Sequence, residues 1–400
     1  MAIATSHTIH VALLPDSSQL DTEDISPLRL KTFQLGPTAH VLEEQPLAAV
    51  LWHPLGYRGR ALVTITTDAI VRLWELNRSD RSTFNEPALS IDLMKLANAT
   101  SEAEDLSASK YGASKGFSPD SVELEVVSAC FGDFPEQEDV HGWAPMTLWI
   151  ATREGDVYAL CPFLPSRWQL DRSEGASAFI QTLATTINTS YALVGDDPEA
   201  SAEEKENSKK QLAWLSDILY EPPLGEALPS GDFIDVYRRP PSVPSTPLLQ
   251  GPFSLLPELD DDIELSDIIV FSLKTFAEAT DDGVVEGQPA AVLCLVTTDA
   301  DILICLDLEG VVGRWLPQEM VSPYPILVEP KLIICSTNLR RQELQTLAYL
   351  LWKRSNSGVQ RRPRQTANLL LPQMFIWIIP SLFHTPVALP MCPWSPGFGG

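Results

Sequence analysis

Gly112-Ala113-Ser114-Lys115-Gly116 has the GxSxG spacing of a nucleophile elbow. That chemistry needs a strained strand-to-helix turn exposing the serine, with a histidine and an acid placed later in the chain. Here the match lies in a Ser-rich polar stretch with no apolar strand before it, so it reads as a loop. Asp260-Asp261-Asp262 with Glu264 could gather a cation, yet they lack the alternating spacing and the glycine of a calcium loop and read as solvated acids. His53 and His141 are the histidines set beside apolar or aromatic neighbours. Neither has partners at ligand spacing, since there is no HExxH and no Cys/His cluster. A histidine that fixes a strand-to-loop turn is the expectation for each. There is no Walker-type phosphate loop and no dinucleotide fingerprint. The residues therefore predict no catalytic, cofactor-binding or metal-binding site, and a chain that is not an enzyme.

One segment suits protein binding instead. In Gln211–Pro222 (QLAWLSDILYEP), Leu212, Leu215, Ile218 and Leu219 recur at helical spacing, with Trp214 and Tyr220 beside them. Trp214, Leu215, Ile218, Leu219 and Tyr220 are the candidate partner-binding residues, because aromatic and aliphatic anchors on a protruding helix suit helix-in-groove recognition. The competing expectation is that this apolar face packs on the chain's own core, as most such faces do.

The elements around these residues are strands. Leu62–Leu76, Leu148–Pro162 and Leu293–Leu308 each read as an apolar β-branched run, a short polar turn with an acid, and a second such run. The acids are Asp68, Glu154 with Asp156, and Asp299 with Asp301. These are hairpin signals. The runs are apolar at successive positions, which predicts strands covered on both faces, as in propeller blades packed between neighbours. From Leu62 to Leu148 is 86 residues, about twice a blade period of roughly 40–45 residues. The predicted fold is all-β, a WD40-like β-propeller over residues 1–330 with disordered insertions. The insertions lie near 99–120 (Ser-rich), 196–210 (a charged run unable to bury enough apolar surface to order itself) and 222–257 (nine prolines, an extended loop or ladder-poor edge). Little helix is expected outside Gln211–Tyr220.

The formal net charge of −25 disfavours direct contact with nucleic acid or anionic membranes. From Lys331 onward, eight Lys or Arg face the single acid Glu343, giving +7 and leaving −32 in residues 1–330. The apolar stretch Leu369–Leu389 resembles a membrane span, but Pro372, Pro380 and Pro386 interrupt it. Residues 331–400 are thus expected to be a basic, Pro-rich tail outside the folded propeller, disordered or foreign to it, as a mis-spliced or frame-shifted reading would produce. The six scattered cysteines, with no CxxC pair and no signal-peptide pattern, suit a reducing compartment.

Ala48–Arg78 (AAVLWHPLGYRGRALVTITTDAIVRLWELNR) and Val126–Trp168 resemble blades of the fungal nucleoporin eighty-two family, and the region of Leu293–Leu308 resembles a further one. The resemblance covers roughly residues 1–330. It implies a propeller that is seven-bladed in the family; the blade count here stays open, and the blade pattern stops near Pro330, as in an incomplete ring. It also implies a structural scaffold on the cytoplasmic face of the nuclear pore complex that supports mRNA export and nucleocytoplasmic transport. The implied partners are the C-terminal helix of a phenylalanine-glycine nucleoporin and the C-terminal domain of a Gly-Leu-Phe-Gly nucleoporin. The family's C-terminal coiled coil has no counterpart in this sequence, since no sustained heptad segment follows the blades. The alternative is another WD40-like adaptor, such as a substrate receptor of a ubiquitin ligase.

Overall fold

The structure is a computed structural model, and it describes residues 1–14, 30–42, 45–99, 101, 103–108, 124–132, 142–172, 176–228, 231–256, 263–274, 279–280, 283–284, 289–307, 310–317 and 331–336. The Gly112–Gly116 match, His141, Asp260–Asp262 and residues 337–400 lie outside them.

The chain opens with a three-stranded antiparallel sheet of β1 (Ala2–Ala4), β2 (Ile9–Ala12) and β3 (Thr32–Leu35). A four-stranded sheet follows: β4 (Leu47–Trp52), β5 (Ala61–Thr66), β6 (Ile70–Glu75) and β7 (Leu89–Asp92), ordered as in the sequence. Helix α1 (Leu93–Ala97) is capped by Asp92, whose side chain accepts from the amides of Met94 and Lys95. The third sheet begins with β8 (Val126–Phe131), β9 (Leu148–Thr152) and β10 (Val157–Leu160).

The chain then leaves that sheet for an excursion. It builds β11 (Arg167–Asp171), helices α2 (Ala176–Asp196) and α3 (Ala202–Tyr220), β12 (Leu224–Ala227) and β13 (Phe233–Arg238). The three strands form their own sheet, β11-β13-β12, and β14 (Leu249–Gln250) returns to complete the third sheet beside β10. A fourth sheet has the order β15-β21-β20-β19-β16, formed by β15 (Ser254–Leu256), β16 (Leu265–Lys274), β19 (Pro289–Thr297), β20 (Ile302–Asp307) and β21 (Lys331–Ser336). Between β16 and β19 in the chain, β17 (Ala279–Thr280) and β18 (Gly283–Val284) pair as a separate small hairpin. This is an all-β propeller architecture of successive antiparallel blades.

The doubly apolar runs of the sequence now have a physical reason. Side chains alternate across a strand, and along β9 the two sides are different cores. Leu148 and Ile150 pack toward the second sheet, with Val63, Ile65 and Val71. Trp149 and Ala151 pack toward the fourth, with Ile268, Leu293 and Leu295. On β5 the same alternation sends Leu62 to the first sheet with Ile9, Leu35 and Trp74. A further repeat appears only in three dimensions. An edge strand of each larger blade, β4, β8 or β16, carries a register shift near its start, at Leu47/Ala49, Val126/Ser128 and Leu265/Asp267. Such bulges bend a strand and increase its twist.

The structure corrects several expectations. The charged run 196–210 is largely helical: α3 begins at Ala202, with Ser201 and Glu204 forming a reciprocal capping box and Glu203 and Glu204 in the positive first turn. Helix is also not confined to Gln211–Tyr220, since α2 spans Ala176–Asp196. The two helices shield each other, so neither had to order alone. Of the two forms expected for the Pro-rich stretch 222–257, the ladder-poor edge is the one found: short β12, β14 and β15 each lie at the edge of a sheet, with the described prolines between the strands. Finally, the charge-based boundary at Lys331 falls before one more strand: β21 pairs antiparallel with β20 and parallel with β15, burying Leu332 and Ile334. Most of 99–120 lies outside the described residues; within the rest, the Leu106 carbonyl accepts from the Asp92 amide.

Candidate functional site

Helix α3 divides the five candidate binding residues. Trp214, Leu215 and Ile218 are buried at 1%, 1% and 5% exposure, in one core with Phe179, Leu183 and Ile187 of α2. The Trp214 ring lies 4.9 Å from that of Trp143, tilted by 42°. Leu219 and Tyr220 are exposed, at 57% and 88%. The inward stripe runs Asn207, Gln211, Trp214, Ile218, one side of a helix at 3.6 residues per turn. Its polar start is as fixed as its apolar end. Asn207 Nδ2 and Gln211 Nε2 both donate to the Gly313 carbonyl, at 3.1 and 2.8 Å, and Lys210 Nζ donates to the Leu316 carbonyl at 2.6 Å. The segment beneath is held in turn by blade three: the Arg314 amide donates to the Cys161 carbonyl, and Gln250 Nε2 to the Val312 carbonyl. Helix α3 is therefore a strap across the chain's own structure. Three of the five candidate residues are core, and Leu219 and Tyr220 are exposed.

His53 behaves as a turn-fixing histidine. Its Nδ1 accepts from the Leu55 amide at 3.1 Å, which leaves Nε2–H to donate to the Phe163 carbonyl at 2.7 Å. Burial lowers its pKa to about 4. Both ring nitrogens are engaged, so the imidazole ties the end of β4 to blade three. Glu264 pairs with Arg153 at 3.6 Å. Cys130, Cys161, Cys294 and Cys305 are in no disulfide. Burial pushes Cys161 up to about 12 and Cys294 up to about 11, well away from nucleophilic thiolate chemistry. Among the described residues no group of three or more His, Cys, Asp or Glu is placed to hold a metal ion, and no helix is long and apolar enough to cross a membrane.

The sequence reading missed the sheet beside these helices. β11 and β13 carry Trp168 and Tyr237, directly opposite in register and stacked at 4.5 Å. Their signal was available in the alternation of Arg167–Asp171 and Phe233–Arg238, but the prolines nearby masked it. Exposed apolar residues also gather on this excursion, at Tyr191, Leu193, Leu224 and Phe233.

Residues 1–355 match the family described as the nucleoporin NUP82 beta-propeller. The chain is 43% identical over 333 residues to nucleoporin NUP82 of Chaetomium thermophilum, covering 79% of this chain and 37% of that protein. It is 25% identical over 315 residues to nucleoporin nup82 of Schizosaccharomyces pombe, covering 75% and 33%. The chain thus spans about a third of the length of the curated relatives it matches. Among solved structures, it resembles a chain of the Chaetomium thermophilum heterotrimeric Nup82 NTD–Nup159 TAIL–Nup145N APD complex, with TM-score 0.71 and 40% identity over 85% of this chain and 62% of that one. A chain of the yeast Nup82–Nup159–Nup116 complex shares the fold, with TM-score 0.50 and 15% identity over 84% and 62%. Sequence, blade architecture and family match agree: this chain belongs to the nucleoporin Nup82 β-propeller family.

Proposed function

We propose that this chain is a non-catalytic nucleoporin scaffold on the cytoplasmic face of the nuclear pore complex, holding other nucleoporins in support of mRNA export and nucleocytoplasmic transport. The observation that carries this reading is its 43% identity, over 79% of its length, to a nucleoporin whose NTD is crystallised with the Nup159 tail and the Nup145N APD. The proposed partners are the C-terminal helix of a phenylalanine-glycine nucleoporin and the C-terminal domain of a Gly-Leu-Phe-Gly nucleoporin. On the strap helix, Leu219 and Tyr220 are the residues left to contribute to such a contact. The non-catalytic part of the reading is supported by His53, whose ring nitrogens are both spent on backbone groups. These comparisons favour the scaffold over a ubiquitin-ligase adaptor.

The test is co-elution of the purified chain with a Nup159 tail peptide and with a Nup145N APD in gel filtration. A complex with either supports the reading. Failure to bind both, by a chain that melts cooperatively, overturns it.

A further inference from the structure

We propose that the free edge of β12 takes up an extended acidic segment of a protein partner as an additional strand of the β11-β13-β12 sheet. The proposal is independent of the nucleoporin contacts above.

β12 (Leu-Gly-Glu-Ala, Leu224–Ala227) pairs with β13 on one side only. Among the described residues no strand pairs with its other side. An open edge offers a row of unpaired amides and carbonyls, and proteins usually blunt it with lysine, proline or a cover. β12 contains neither residue, and it displays Leu224 at 61% exposure. Strand addition to such an edge draws affinity from main-chain hydrogen bonds and selectivity from the flanking side chains.

Those side chains specify the charge. On one face, Arg58 Nη2 and Arg167 Nη2 share the single carboxylate of Glu226, at 3.0 and 3.3 Å. Arg167 also lies over the Tyr57 ring at 4.0 Å, which holds its guanidinium in place. On the other face, Arg172 pairs with Asp235 of β13 and reaches as far as β12: a Cβ on Gly225 would stand 3.0 Å from Arg172 Nη2. Three guanidiniums thus lie beside β12, each paired with Glu226 or Asp235, with Glu221 and Asp232 near the ends of the hairpin. Each guanidinium carries five N–H donors, so donors remain after the existing pairs. Glycine within a strand permits close approach of another backbone. An acidic side chain arriving opposite Gly225 therefore meets Arg172 with no β12 side chain between them, and an apolar neighbour in sequence falls on the opposite face.

The probe is a short end-blocked peptide of alternating Val and Glu, compared with its Val and Lys counterpart, titrated into the full chain by fluorescence anisotropy. The acidic peptide should bind, more weakly at high salt, and about tenfold more tightly than the basic one. Amides of Leu224–Ala227 should exchange about tenfold more slowly when it is bound. Arg172→Ala and Gly225→Pro should each weaken binding severalfold with no change in melting temperature, while the remote Arg153→Ala should leave it unaltered. Should Gly225→Pro perturb folding, Arg172→Ala decides. Absence of binding, equal affinity for the two peptides, or unprotected β12 amides in the complex would overturn the proposal.

Discussion

Ala69 and Ala300 occupy the same place in two hairpins of identical turn sequence, Thr-Thr-Asp-Ala, and both adopt a left-handed backbone, with φ of 64° and 67°. In each, the alanine amide donates to the carbonyl of the first threonine, Thr66 or Thr297. The third blade repeats the geometry with a residue suited to it: Thr152-Arg153-Glu154-Gly155, where Gly155 has φ 97° and its amide donates to Thr152. The blades are therefore copies of one turn as well as of one sheet.

A left-handed alanine is strained by its Cβ. Ala300 is exposed, so its methyl contributes little packing. Ala300→Gly is expected to raise stability by ~0.5–1 kcal/mol. Gly155→Ala should lower stability by about 1 kcal/mol or more, because a Cβ there would also come within 3.2 Å of the Ile263 carbonyl. Paired urea titrations check both signs; two changes of the same sign would refute the turn equivalence.

Much of this was legible in the sequence, and the exceptions share a cause. The hairpins β5/β6, β9/β10 and β19/β20 were readable because strand, turn and strand are contiguous. Helix α2 also carried its signal, since Ile180, Leu183, Ala184 and Ile187 recur at helical spacing with Thr185 and Asn188 on the exposed side, although the α3 face it packs on is not local. The burial of Trp214 depends on Trp143, seventy-one positions earlier, so no local pattern could distinguish a core anchor from an exposed one. The parallel pairing of β15 with β21 is equally non-local.

The division within α3 predicts a contrast between neighbours. Trp214→Ala should cost about 3–5 kcal/mol, as for a buried aromatic removed from a packed core. Tyr220→Ala should change stability by less than about 0.5 kcal/mol. Denaturation curves measure both, and a Trp214→Ala variant no less stable than Tyr220→Ala would show that the helix does not pack as described.

The position of β21 predicts where the chain can be shortened. A variant ending at Pro330 removes the strand between β15 and β20, along with the buried side chains Leu332 and Ile334. Each lost aliphatic costs about 2–5 kcal/mol, and two open edges invite association. A variant ending at Asn338 retains the whole sheet. Gel filtration with light scattering should find the shorter variant aggregated and the longer one monodisperse; equal behaviour would exclude a structural role for β21.

Buried imidazoles make stability depend on pH. His40 Nε2 lies 3.3 Å from Thr64 Oγ1, which also accepts from Trp74 Nε1 at 3.0 Å. Burial first, and the charge of Arg72 second, lower its pKa to about 3, while burial lowers that of His53 to about 4. An unfolded histidine titrates near 6.5. Below that pH the unfolded chain takes up protons that the folded chain refuses, so acid favours unfolding. The neutral imidazoles thus leave stability intact above pH 6.5, and it declines as pH falls from there toward 4 for His53 and 3 for His40. The slope is about 1.4 kcal/mol per pH unit for each histidine inside its window. Urea midpoints should therefore drop between pH 7 and pH 5. His53→Gln, which cannot titrate, should lower stability at pH 7 and reduce the drop by about half. If parent and variant lose stability equally on acidification, His53 is not held neutral by the fold.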